Sequence, residues 1–253
     1  MLPFDPQKNI LALDFDGVIA DSIHECLFAG YNAYAGLYSR PLVHSLGEID
    51  EDNMHEARRL RNFIRSGEDY VYIQQIIHEK IMVFDQAMWD TFVAEHADKH
   101  DEYLQAFYSV REKMSKENPV LWASLSPLFP GVKDVLASFI PQKNLYIITT
   151  KRVDYVDLIL DANGIQLVQE NKIQSVPGKS KLQILQSIIA ERSLSPNEII
   201  FIDDQVDTLI KTLPSGVNCR LALWGYNNAY QVLRGKQAGI ETLEIGEFVE
   251  IFG

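Results

Sequence analysis

The sequence predicts an α/β fold: a parallel sheet with covering helices, built from both ends of the chain, with an all-helical domain inserted after the first strand. Three observations carry this. An apolar run of strand character, Ile10 to Phe15, ends in acidic residues close to the N-terminus. From about residue 22 to 125, apolar residues recur only at helical spacing. After residue 126, strand-like and helix-like segments alternate at the lengths of β–α–β units. The expected division is a core of residues 1–21 and 126–253 and an inserted helical domain of residues 22–125, each within the usual domain size range.

Taken in order, Ile10–Phe15 reads as a buried strand. Ile23, Leu27, Tyr31, Tyr34 and Tyr38 then mark a helix. Ile73, Ile77, Ile81, Phe84 and Met88 mark a second, and Tyr103, Phe107, Val110 and Met114 a third. Breaks fall near Arg40-Pro41, Ser66-Gly67 and Asn118-Pro119. Phe129-Pro130-Gly131-Val132 opens a helix to about Ile140, and Leu145–Ile148 is a strand. Val153, Val156 and Leu160 mark a helix stopped by Asn163-Gly164. Leu182, Leu185 and Ile189 mark another helix. Ile199–Ile202 is a strand, and Val217 to Leu223 is one more.

Composition narrows the class. The chain has 253 residues, 47% of them hydrophobic, which is ample for a buried core. No apolar run approaches the ~18 residues of a membrane span. The start, Met1-Leu2-Pro3-Phe4-Asp5-Pro6, lacks the basic head and apolar core of a signal peptide. Cys26 and Cys219 make no disulfide framework and read as buried free thiols of a reducing compartment, hence a cytoplasmic protein. The net charge of −12 argues against nucleic acid as a partner and suits a site that gathers divalent cations. The expected partner is a small molecule, with no nucleic acid and no membrane; the oligomeric state is left open.

The chemistry lies at strand ends, where open parallel sheets bind ligands. Asp14 and Asp16 close the first strand, and period-2 geometry puts them on one side with Phe15 on the other. Two carboxylates this close call for a hard cation between them or a shared proton. Thr149 and Thr150 follow the strand Leu145–Ile148. Asp203 and Asp204 follow Ile199–Ile202, with Asp207 close behind. Each cluster alone has a plain alternative, because turn formers and helix N-caps gather at strand ends for backbone reasons. Together they place acid, hydroxyl and acid at three such ends.

These residues resemble the motifs of the haloacid dehalogenase (HAD) superfamily, most of whose members are phosphatases. Asp14-Phe15-Asp16-Gly17-Val18 resembles motif I, Ile147-Ile148-Thr149-Thr150-Lys151 motif II, and Phe201-Ile202-Asp203-Asp204 the acidic motif IV. Phe129-Pro130-Gly131-Val132 resembles the segment that re-enters the core after the insertion. Trp224-Gly225-Tyr226-Asn227 resembles a late loop of the phosphoglycolate phosphatase-like branch. The resemblance implies a Rossmann-like core with a type C1 helical cap acting as a lid. It also implies a Mg²⁺-dependent phosphatase that hydrolyses a small phosphorylated metabolite through an aspartyl-phosphate.

Residue by residue, the resemblance makes Asp14 the nucleophile, Asp16 the acid/base and Thr149 a phosphoryl ligand. The motif III lysine is Lys181, with Lys179 as the alternative, both from Pro177-Gly178-Lys179-Ser180-Lys181-Leu182. The metal falls to Asp14, a motif I backbone carbonyl expected at Asp16, and Asp204, with Asp203 as a near neighbour. The spacing of Asp203 and Asp207 offers another pairing. Thr150, Lys151 and Arg152 follow motif II and are candidates for substrate contact, or simply an exposed helix start. Rival readings are a phosphomutase, a dehalogenase and a non-catalytic module of the same fold. The dehalogenase branch lacks the second aspartate present here as Asp16.

Other features have simpler readings. Arg58, Arg59, Arg61 and Arg65 resemble an anion site, but Asp50, Glu51 and Asp52 precede them, and acid before base is what the helix dipole favours. His96 and His100 have metal-ligand spacing but read as an exposed helical face. Trp89 and Trp122 read as packing residues.

Overall fold

In the computed structural model, residues 5, 8–142, 144–167, 172–174 and 179–253 are described. Met1–Phe4 and Pro6, read above against a leader, lie outside them, as do Pro177 and Gly178. The chain divides into two compact units, Met1–Asp21 with Pro127–Gly253, and Ser22–Ser126.

Among the described residues, the first unit holds a six-stranded sheet in the order β3-β2-β1-β4-β5-β6, every pairing parallel. The strands are β1 (Ile10–Leu13), β2 (Leu145–Ile148), β3 (Lys172–Gln174), β4 (Ile199–Asp203), β5 (Asn218–Ala222) and β6 (Glu241–Leu243). β1, β2 and β4 are buried throughout, as near-continuous apolar runs in a helix-covered parallel sheet should be. Helices α7 (Val132–Phe139), α8 (Val153–Ala162), α9 (Lys181–Arg192), α10 (Val206–Thr212), α11 (Ala229–Gln237) and α12 (Ile245–Phe252) complete the unit. One face is packed by Ile10, Ala12, Tyr146, Phe201 and Leu221 with Leu185, Ile188 and Leu209.

Register decides what the sheet presents. Leu13 pairs with Ile147 on one side and Ile202 on the other. The residues that follow, Asp14, Ile148-Thr149 and Asp203, therefore emerge side by side at the carboxyl ends of three adjacent strands. β1 lies where the strand order reverses, between β2 and β4, which opens a crevice there.

The second unit is helical: α1 (Ile23–Leu37), α2 (Glu51–Leu60), α3 (Asp69–Glu79), α4 (Gln86–Glu95), α5 (His100–Glu117) and α6 (Pro119–Ser124). Its core includes Leu27, Leu60, Val71, Ile73, Tyr103 and Phe107. Buried within it, Glu25 accepts from Arg111 Nε at 2.8 Å and Nη2 at 2.6 Å, and from Trp122 Nε1 at 3.0 Å.

Several sequence expectations need correction. The first strand stops at Leu13, not Phe15, because the chain turns immediately after Asp14 donates its N–H to Ile202 O. The periodic run Ile73–Met88 is two helices. Lys80 adopts a left-handed conformation (φ 55°) that ends α3, with no glycine or proline to announce the stop. His96 ends α4 and His100 opens α5, so they share no helical face. The arginines spread past α2, which ends at Leu60: Arg58 meets His24, Arg59 meets Glu56, and Arg65 bonds Phe63 and Ile64 carbonyls. Trp89 and Trp122 are buried. Cys26 and Cys219 are buried thiols outside any disulfide, and Cys26 Sγ donates to Glu25 at 3.3 Å. Among the described residues, no helix is long and apolar enough to cross a membrane.

Candidate active site

The site grows from the turn that follows β1. Gly17 takes φ 88°, and its N–H reaches Ala20 O while Ala20 N–H returns to Phe15 O, both at 2.9 Å. A Cβ at Gly17 would stand 2.4 Å from Asp204 Oδ2, so only glycine fits. From the other side, a Cβ at Gly225 would stand 2.3 Å from Asp204 Cβ and 2.5 Å from Gly17 O. Two glycines thus let the turn and the loop after β5 close on Asp204. The Tyr226 N–H donates to Asp204 Oδ2 at 2.8 Å, and the Tyr226 hydroxyl donates to Asp21 at 2.6 Å. Tyr226 is a supporting residue that no sequence argument assigned a role; its only signal was its place in the late-loop motif.

Asp14, Asp203 and Asp204 are buried and offer carboxylate oxygens all within 4.8 Å of one another. Lys181 stands among them, its Nζ 2.7 Å from Asp14 Oδ2 and 2.8 Å from Asp203 Oδ2. The Phe15 N–H fixes Asp14 Oδ1 at 2.7 Å, and the Gln205 N–H fixes Asp203 Oδ1 at 2.8 Å. Burial pushes Asp14 well above the usual carboxylate range; Lys181 opposes this, while Asp203 and Asp204 add to it. For Lys181, burial alone would lower the pKa, but the ion pairs with Asp14 and Asp203 win and hold it above its ordinary value.

The position of Lys181 has a local cause. Ser180 is the N-cap of α9, and it forms a reciprocal capping box with Gln183. That cap makes Lys181 the first helical residue. Lys179 lies outside the helix and is exposed.

The other residues are placed as follows. Thr149 is buried, and its Oγ1 accepts the Lys151 N–H at 3.0 Å; Thr150 is exposed. Arg152 is exposed, grips Asp154 with two hydrogen bonds and lies over the Tyr155 ring. Lys151 is no exposed helix start: its side chain is 1% exposed, and its Nζ lies 2.8 Å from Asp16 Oδ1. Asp14 pairs with Lys181 and Asp16 with Lys151, both beyond the end of β1 at Leu13. Asp207 is held by Arg234 at 2.8 Å in the first turn of α10 and is not among the three clustered carboxylates.

The donor set suits a hard divalent cation. It consists of carboxylate oxygens from three clustered, buried acids, two of which pair with the Lys181 ammonium.

A family model for haloacid dehalogenase-like hydrolases matches residues 8–211. The chain belongs to this family and is a hydrolase of it. No curated protein matches it significantly in sequence. Among solved structures, it is similar to a haloacid dehalogenase-like hydrolase from Streptococcus pneumoniae (TM-score 0.64, 15% identity), over 98% of this chain and 100% of the other. It is similar to a predicted phosphoglycolate phosphatase from Haemophilus somnus 129pt (TM-score 0.64, 16% identity), over 98% and 99%. A predicted phosphatase from Clostridium acetobutylicum aligns over 96% and 97%, with a TM-score of 0.56 and 14% identity.

Proposed function

We propose that this hydrolase is a cytoplasmic, Mg²⁺-dependent phosphatase of small phosphorylated metabolites, acting through an aspartyl-phosphate at Asp14. The observation that carries this reading is the buried Asp14, aimed by the Phe15 N–H and Lys181 and set beside Asp203 and Asp204 at the carboxyl ends of β1 and β4. The names of similar structures, a predicted phosphoglycolate phosphatase and a predicted phosphatase, point the same way.

In this reading the Asp14 carboxylate attacks phosphorus in line, and the ester P–O bond breaks. Asp16 gives a proton to the leaving oxygen, then takes one from the water that releases phosphate from Asp14. Thr149 and Lys181 hold the phosphoryl oxygens, whose charge persists through the transfer. Asp14, Asp203, Asp204 and the Asp16 carbonyl would hold Mg²⁺; when bound, it offsets the repulsion between carboxylate and phosphate dianion. Lys181 has the buried, charge-paired setting such a role needs, and exposed Lys179 does not. The helical unit of residues 22–126 is proposed as a specificity cap. The test is orthophosphate release from a panel of phosphorylated metabolites and para-nitrophenyl phosphate with Mg²⁺. Absence of release from every ester would overturn the reading.

A further inference from the structure

We infer that Lys151 is a positioning residue that grips the Asp16 carboxylate from the protein side and aims it for its proton transfers. The inference rests on the phosphatase reading above. The Lys151 side chain is 1% exposed, whereas that of Asp16 is 24% exposed, and the two meet at 2.8 Å. The carboxylate therefore faces outward while the ammonium is enclosed behind it. That enclosure is built: the Lys151 Nζ lies 5.9 Å from the centre of the Phe15 ring, which is itself fully buried between the two aspartates in sequence. The Lys151 N–H is tied to Thr149 Oγ1 at 3.0 Å. One residue at the end of β2 thus links the hydroxyl expected to hold the phosphoryl group to the carboxylate expected to move protons.

An enclosed ammonium cannot meet an anionic substrate without leaving Asp16, so the substrate contact expected from the sequence gives way to a role through Asp16. Asp16 sits on the turn beyond the end of β1, in an isolated bridge with Ala20. Lys151 Nζ holds its carboxylate there at 2.8 Å. In the hydrolytic half-reaction, the water oxygen bonds to phosphorus as the bond from phosphorus to Asp14 breaks. The bonding pair returns to Asp14 as carboxylate, one water proton passes to Asp16, and orthophosphate leaves. A misaimed Asp16 slows this step whatever the ester.

The experiment is a double-mutant cycle on the full chain with Mg²⁺, using Lys151→Met, Asp16→Asn and both together. Para-nitrophenyl phosphate and a simple alkyl phosphate are the substrates. Lys151→Met should lower kcat roughly tenfold or more, toward the ~10²–10⁴ attributed to general acid–base catalysis, with KM little changed. The loss should be greater for the alkyl ester. The aryl ester should show a burst of nitrophenol before a slow steady state. In the Asp16→Asn background, Lys151→Met should add nothing. Losses that multiply in the double variant, or a raised KM with kcat intact, would overturn the inference. If Lys151→Met fails to fold by circular dichroism, Lys151→Arg in both backgrounds completes the same cycle. An inactive wild-type protein, or full turnover by Asp14→Asn, would instead sink the phosphatase reading itself.

Discussion

Lys181 Nζ lies 2.7 Å from Asp14 Oδ2, joining the first residue of α9 to the end of β1. The same ammonium reaches Asp203 at 2.8 Å, so one cation spans two strand ends. Lys179, two residues earlier, is exposed and precedes the N-cap. Lys181→Ala should therefore reduce kcat/KM by about 30- to 1000-fold, the equivalent of ~2–4 kcal/mol of transition-state stabilisation. Lys179→Ala should fall within about threefold of wild type, as surface changes usually do. Steady-state kinetics on one ester decides it, and a larger loss for Lys179 would show that this helix start is misassigned.

Asp14→Asn keeps the shape of the side chain and removes the negative charge proposed to attack phosphorus. Turnover should drop to background. Asp14 is buried beside Asp203 and Asp204, which disfavour its charge, so neutralising it should leave the metal-free melting temperature equal to wild type or higher. Residual turnover in a folded sample would exclude covalent catalysis at this residue. A large fall in melting temperature would mean that the carboxylate stabilises the fold.

How much of this was legible in the sequence depends on what fixes each feature. β1, β2 and β4 are buried on both faces, so each appears as an uninterrupted apolar run with polar residues beginning where the sheet ends. β3 and β6 have three residues each and give no pattern to read. The stop at Lys80 was invisible because a lysine takes a left-handed turn that glycine usually supplies. At the site, Asp14, Thr149 and Asp203 are neighbours through backbone register, which strand ends disclose. The Lys151–Asp16 pair depends on side-chain reach across strands, which no spacing encodes. The start of α9 is also carried by the sequence: Ser180 followed by Gln183 is a capping-box pattern, and it sets Lys181 as the first residue.

The acidic trio predicts a metal dependence. Activity should vanish in chelator and return with Mg²⁺, while Ca²⁺, which takes longer and less rigid coordination, should inhibit. Binding should also appear without any substrate, as a rise in melting temperature with Mg²⁺ concentration. That rise should shrink in Asp204→Asn. Full activity in chelator would refute the assignment.

In the helical unit, Glu25 accepts three hydrogen bonds from Arg111 and Trp122 and is wholly buried. Glu25→Ala removes the acceptor while leaving the guanidinium in place. Breaking a buried pair from one side costs about 3–5 kcal/mol, so denaturant unfolding should show a loss of that order. Glu25→Gln, which keeps an acceptor oxygen, should lose less. A change under about 1 kcal/mol for Glu25→Ala would show that the pair contributes little beyond what its desolvation costs.

Gly17→Ala tests the close approach on which the site is built. The added methyl would meet Asp204 Oδ2 at 2.4 Å and the Tyr226 ring at 2.9 Å, and the backbone there has φ 88°. The left-handed conformation alone costs roughly 1–2 kcal/mol for a residue with a Cβ. Relief requires Asp204 to move, and Asp204 lies within the acidic trio, so the Mg²⁺-induced rise in melting temperature should weaken along with turnover. Gly36→Ala is the matched control. It sits in α1 with nothing within 4 Å of the new methyl, and alanine is a better helix former by up to about 1 kcal/mol. It should leave turnover unchanged and raise stability slightly. Equal behaviour of the two variants would mean that the turn after β1 can yield, and that the contact between Gly17 and Asp204 does not set the geometry of the site.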